Sequence, residues 1–153
     1  MSDITDARIA FVGGGAMAEA FIGGLLAKGL AAPQRVIASD PVAERREHLT
    51  GSLGIATTAS NGEAVRDADV VVLAVKPQVA GRVLEDLAAA DLAPQALLVT
   101  FIAGVRIATL RAALGERPVV RLMPNTPAQI GEGIAAWTAT ADCSAAQRAL
   151  ARA

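Results

Sequence analysis

The sequence predicts an α/β domain with a doubly wound, mostly parallel sheet and helices on both faces. Three observations carry this. Short apolar runs alternate along the chain with stretches of helical period. The first of these runs passes through a cluster of glycines straight into a helical pattern. Turn-forming residues also follow the strand-like runs, at Gly13, Asp40-Pro41, Lys76-Pro77, Ala103-Gly104 and Pro124-Asn125. In a parallel sheet all of these lie at the carboxyl edge, where such folds bind their ligands.

The first corner is the most informative. Arg8 to Val12 suits a buried parallel strand. Gly13 to Ala18 reads G-x-G-x-x-A, and Glu19 to Leu30 continues as a helix with Met17, Phe21, Ile22, Leu25 and Leu26 toward the core. Strand, glycine turn and helix in that order form the phosphate-binding corner of a Rossmann unit. Gly13 permits the tight turn. Gly15, without a Cβ, lets a pyrophosphate approach the backbone. Ala18 lets helix and strand pack closely. Free N–H groups and the positive end of the helix dipole then face the anion. Gly14 is extra to this pattern and is assigned no role.

The remaining elements follow in order. Arg35 to Ser39 reads as the second strand, ended by Asp40-Pro41. Asp40 lies 22 residues beyond Ala18, close to the position of the acid that holds an adenosine ribose. A carboxylate there accepts from the 2′-OH and repels a 2′-phosphate, which favours NAD over NADP. Asp40 equally suits a helix cap with Pro41 at the first position. Arg45 and Arg46 could reach a 2′-phosphate, or could be solvated charges beside Glu44 and Glu47.

Gly54 to Thr58 is a weak third strand. Ser60 with Glu63 fits a capping box at the head of a short helix. Asp69 to Val75 is the clearest buried strand, and Pro77 opens a helix through Val79, Val83, Leu84 and Leu87. Gln95 to Ile102 is the next strand. It is followed by a helix with Ile107, Leu110 and Leu114 inward, ending at Gly115. Pro118 to Met123 is another strand, and Ile134 to Thr138 a final one. Ser144 caps a last helix through Gln147 and Leu150.

Composition excludes several functions. At 153 residues, 53% of them hydrophobic and 19% charged, the chain can bury a proper core. A net charge of −1 without a basic cluster argues against nucleic acid and anionic membranes as partners. With 3% aromatic residues, few rings are free to stack on bases. Cys143 is the single cysteine, so no internal disulfide is expected, and it reads as an ordinary small residue near a helix start. The single histidine, His48, reads as a solvated helix residue. No metal site is expected. The polar N-terminal residues and the short apolar runs resemble neither a targeting peptide nor a membrane span, so a cytoplasmic location is expected.

Four stretches carry a resemblance that covers essentially the whole chain. They are Ile9 to Ala20, Val72 to Gln78, Ile102-Ala103-Gly104, and Val120-Arg121-Leu122-Met123-Pro124-Asn125-Thr126-Pro127. Together they resemble the N-terminal half of pyrroline-5-carboxylate reductase, and the R-x-M-P-N-T-P run is the most specific. The resemblance implies NAD(P)H-dependent reduction of the ring imine of 1-pyrroline-5-carboxylate to L-proline, the last step of proline biosynthesis. It implies NADP(H) or NAD(H) as cofactor. Backbone N–H groups around Gly15, Ala16 and Met17 would hold the pyrophosphate, with Gly13 at the turn of the same cofactor site. Ser39 and Asp40 would lie by the adenosine ribose, with Asn61 near the adenosine side. Ala74, Lys76 and Pro77 would line the cleft, Ala103 and Gly104 would approach the nicotinamide, and Met123, Pro124 and Asn125 would border the hydride-transfer site.

Many members of that family use NADPH with Ser or Arg groups after the second strand, and Asp40 departs from that pattern. Gly14 and Ala16 stand where members often carry Ala and Asn, a mild departure because the backbone does the binding. Plainer readings stand beside these roles. Lys76 could be an exposed lysine at a strand end, Asn125 could satisfy turn groups, Arg121 could pair with a carboxylate, and Met17 and Met123 could serve packing alone.

No acid/base pair is found in the sequence, so no catalytic side chain is assigned. The family's substrate-binding and dimer-forming helical domain would begin where this sequence ends, at Ala153. The expectation is therefore a cofactor-binding half of a homo-oligomeric enzyme, with little or no turnover by itself. The alternatives are the same half of another imine or 3-hydroxyacid dehydrogenase, or a non-catalytic nucleotide-sensing module.

Overall fold

A computed structural model describes residues 6–102, 104–123 and 136–140. Seven strands form one sheet: β1 (Ile9–Val12), β2 (Val36–Ser39), β3 (Ala56–Thr58), β4 (Val70–Leu73), β5 (Leu97–Thr100), β6 (Val119–Met123) and β7 (Ala136–Ala139). Their order is β3-β2-β1-β4-β5-β6-β7. The first six run parallel, and β7 pairs antiparallel with β6 through Leu122↔Trp137 and its neighbours. The 3-2-1-4-5-6 order is that of the doubly wound dinucleotide-binding fold, as the sequence predicts.

Helices α1 (Ala16–Ala27), α2 (Ala43–Leu53), α3 (Asn61–Val65), α4 (Ala80–Ala88) and α5 (Ile107–Leu114) connect the strands. The two sheet faces bury separate cores. Along β1, Ile9 and Phe11 join Ala18, Ile22, Val36 and Leu49 on one side. Ala10 and Val12 face the other side with Val65, Leu84, Leu87 and Leu110. Every residue of β1, β4 and β5 is buried. This accounts for their unbroken apolar runs, since a parallel strand covered on both faces has no solvent side.

Several local expectations shift. On α1 the buried residues are Ala18 and Ile22, while Phe21, Leu25 and Leu26 pack partly against the core. Pro77 opens a short 3₁₀ turn, Pro77–Val79, and α4 begins only at Ala80. Val83, Leu84 and Leu87 are buried as the period requires, but Val79 belongs to the turn and is 47% exposed. Ser60 caps α3 by accepting from the Glu63 N–H at 3.2 Å. The return bond runs through a third residue: the Ser60 N–H donates to Thr58 Oγ1, and that hydroxyl donates to Glu63 Oε2. The expected strand residues Ile134 and Ala135, the helix capped by Ser144, and Cys143 lie outside the described residues.

Candidate functional site

The strand order reverses direction at β1. From β1 the chain moves to β2 on one side, and β4 later returns to the other side. Connections leaving in opposite directions open a crevice above the carboxyl end of β1, and the glycine turn sits in it. The neighbouring strand ends are tied to it. The Gly13 N–H donates to the Ser39 carbonyl at 2.9 Å, and the Ala74 N–H donates to the Val12 carbonyl at 2.9 Å.

Gly13 meets both demands expected of it. Its φ is +105°, and a Cβ there would lie 2.7 Å from the Ala74 carbonyl oxygen. Gly15 occupies the N-cap position of α1 in extended backbone, with φ −77°. A Cβ on Gly15 would meet nothing within 4 Å, so the space above it is open. Ala18 is fully buried beneath the turn. Among the described residues, the N–H groups of Gly15, Ala16, Met17 and Ala18 have no acceptor. They are the orphan donors of the first helical turn, aimed out of the crevice floor where the helix dipole is positive.

Gly14 has a structural role that the spacing of the motif does not reveal. A Cβ on it would lie 2.8 Å from Leu49 Cδ1 and 3.3 Å from the Asp40 Cβ. The Gly14 N–H donates to Asp40 Oδ2 at 3.0 Å, and the Gly14 carbonyl accepts from Arg45 Nε at 2.8 Å. The other Asp40 oxygen, Oδ1, accepts from the Val42 N–H at 2.8 Å. Asp40 is thus not the N-cap of α2. Val42 holds that position, and Pro41 precedes the helix.

The two arginines after β2 are half-buried and turned inward, and the reading of them as solvated charges gives way. Arg45 also donates to Glu19 Oε1 at 3.3 Å, and Arg46 donates to the Asp40 carbonyl at 2.8 Å. His48 shares the same Glu19 oxygen through Nε2, so it is not simply solvated. A helical charge pattern shows which face is polar but not what that face folds back upon.

The adenosine-side candidates form a second set. Ser39 is fully buried and donates to Asn61 Oδ1 at 2.7 Å; the Asn61 amide then donates to Asp86 Oδ2 at 3.2 Å. Asp86, on α4, has no counterpart among the residues picked from sequence, because its contact spans 25 positions.

Beyond the switch point, Ala74 lies against Gly13, while Lys76 and Pro77 are exposed at the end of β4. Among the described residues the Lys76 ammonium has no partner. Gly104 follows β5 with φ +78°. Met123 ends β6, opposite Ala136. Ala103, Pro124 and Asn125 lie outside the described residues. Arg121 finds no carboxylate among the described residues, and its buried Nε has no hydrogen-bond partner there. Among the described residues no group of side chains could hold a metal ion, and no helix is long and apolar enough to cross a membrane.

Comparison with known proteins gives a consistent picture. The family described as NADP oxidoreductase coenzyme F420-dependent matches residues 8–104. A pyrroline-5-carboxylate reductase of Pseudomonas aeruginosa is 52% identical over 141 residues, covering 92% of this chain and 51% of that protein. Among solved structures, a pyrroline-5-carboxylate reductase from Coxiella burnetii aligns with a TM-score of 0.90 and 32% identity, over 95% of this chain and 54% of that one. The pyrroline carboxylate reductase of Plasmodium falciparum, solved with NADP bound, aligns with a TM-score of 0.79 and 25% identity, over 96% of this chain and 53% of that one. The chain therefore spans about half the length of the relatives it matches.

Proposed function

The chain belongs to the family of NADP oxidoreductases described as coenzyme F420-dependent, and on that premise we propose that it is the cofactor-binding part of a pyrroline-5-carboxylate reductase. The observation that carries this reading is the 52% identity to the Pseudomonas aeruginosa enzyme, which runs over 92% of the chain. The complete enzyme would reduce 1-pyrroline-5-carboxylate to L-proline with hydride from NADPH or NADH. A helical domain beyond the matched half would hold the substrate and join subunits into a homo-oligomer.

The residues present fit a dinucleotide. The free N–H groups of Gly15, Ala16 and Met17 suit a pyrophosphate, and Gly13 permits the turn that presents them. Ser39, Asp40 and Asn61 belong to the adenosine side. Ala74, Lys76 and Pro77 line the cleft beside the switch point. Ala103, Gly104, Met123, Pro124 and Asn125 are assigned to the nicotinamide end. When bound, the cofactor supplies the hydride. The protein supplies position: a fixed anion site at one end and strand-end loops at the other, so that the reacting carbon is held at close range.

Calorimetric titration with NADPH and NADH tests the binding half of the proposal. Binding of one or both is expected, with turnover of 1-pyrroline-5-carboxylate far below that of a full-length reductase. Binding of neither would overturn the reading. The catalytic half is tested by fusing the chain to the second domain of a related reductase. Proline formation is expected there, and cofactor binding without it would point instead to a nucleotide-sensing module.

A further inference from the structure

We infer that Asp40 and Arg45 form a brace on Gly14 that aims the donors of the glycine turn, so that Asp40 is a positioning residue and does not choose between NADH and NADPH. This rests on the dinucleotide-binding reading above.

Both peptide groups of Gly14 are held. Its N–H donates to Asp40 Oδ2 at 3.0 Å, and its carbonyl accepts from Arg45 Nε at 2.8 Å. A trans peptide carries its C=O and the next N–H on opposite sides. With the Gly14 oxygen turned onto Arg45 of α2, the Gly15 N–H must point away from α2. The guanidinium thereby sets the direction of the first free donor without touching a ligand. Arg45 is steadied in turn by Glu19, on the first turn of α1.

Asp40 is fixed from several directions. Its Oδ1 accepts from Val42 N–H, its own N–H donates to the Thr58 carbonyl at 3.1 Å, and its carbonyl accepts from Arg46. A carboxylate that selects between cofactors must be directed at the ribose. Here each oxygen already accepts from a backbone N–H, which fixes the carboxylate against the turn and leaves each oxygen one lone pair fewer for a ligand. The absence of a side chain on Gly14 is what allows the approach, since a Cβ there would lie 3.3 Å from Asp40 Oδ2.

The test compares Asp40→Ala, Asp40→Asn and Arg45→Met with the unaltered chain, by calorimetry against NADH and NADPH and by amide hydrogen exchange without cofactor. Asp40→Ala is expected to weaken both cofactors about tenfold, since it removes charge-assisted bonds, with the ratio of the two Kd values staying within about twofold. Arg45→Met should also weaken both together. Asp40→Asn keeps one carbonyl acceptor for the two N–H groups of Gly14 and Val42 and should recover part of the affinity for both. Exchange of the Gly14 amide should speed up about tenfold in Asp40→Ala and little in Asp40→Asn, while β1 stays protected and so reports an intact sheet.

A selective loss of NADH in Asp40→Ala, moving the preference about tenfold toward NADPH, would make Asp40 a ribose ligand and overturn the inference. Unchanged Gly14 exchange in Asp40→Ala would overturn it as well. If the unaltered chain binds neither cofactor, it is the dinucleotide reading that fails, and the exchange measurement alone still decides whether the brace exists.

Discussion

A methyl group added at Gly13 would sit 2.7 Å from the Ala74 carbonyl oxygen, on a backbone with φ +105°. Neither the clash nor the strain can relax without parting β1 from the end of β4. Gly13→Ala should therefore cost about 2–4 kcal/mol in urea unfolding. At Gly14 the obstacle is the end of the buried Leu49 side chain at 2.8 Å, together with the Asp40 contact. Gly14→Ala should cost about 1–2 kcal/mol. Gly15 has open space and an unstrained φ, so Gly15→Ala should change stability by no more than about 0.5 kcal/mol. Gly15→Val, by contrast, should keep the fold and lose cofactor affinity, because its bulk stands where the pyrophosphate would approach. Equal stability losses across the three alanine variants would refute this division. The roles of Gly13 and Gly15 are legible from the motif because they depend on adjacent backbone. That of Gly14 is not, because the groups that crowd it lie 26 and more positions away.

Two helix ends illustrate how elements are tied into the sheet. At the head of α3, Ser60 accepts from Glu63 N–H, and Ser60→Ala should cost about 1 kcal/mol, read from the urea midpoint. The Ser-x-x-Glu spacing announces this cap, but not the Thr58 hydroxyl that completes it. At the tail of α5, Arg117 donates to the Leu114 carbonyl at 2.9 Å and to the Ala93 carbonyl at 2.7 Å. Burial holds its guanidinium below the ordinary arginine pKa, and it still carries its charge at neutral pH. It closes α5 and joins it to the loop before β5. Arg117→Met should lower stability by about 1–2 kcal/mol, with Arg117→Lys intermediate because one ammonium cannot hold both carbonyls equally well. Nothing in the local sequence marks Arg117, since its partner at residue 93 is 24 positions back. Helix starts are blurred for a related reason: Pro77 fits a first turn of either kind, and here it opens a 3₁₀ turn that leaves Val79 outside the core.

At the scale of the whole molecule, the parallel, doubly wound class was legible because each buried strand is an apolar run and each crossover is helical; the order of the strands was not spelled out by either. The antiparallel pairing of β7 was not legible, because an apolar run carries no mark of its direction. A ligand seated across the switch point touches loops from both halves of the sheet, so binding should stabilise the domain as a unit. At a hundredfold excess over Kd, NADPH should add about 2.7 kcal/mol and raise Tm by about 5–10 °C. Scans that leave Tm unmoved with NADPH and with NADH alike would contradict the proposed site. The place of β1 also has a consequence for synthesis. One of its neighbours arrives soon after it, but the other, β4, pairs with it 61 positions later. A nascent chain that has emerged only through α3 carries β1 with one whole edge of N–H and C=O groups unsatisfied, beside the apolar side chains of both future cores. Until Asp69 closes onto the Arg8 N–H and β4 zips in behind it, that edge is the protein's most exposed invitation to pair with the wrong strand.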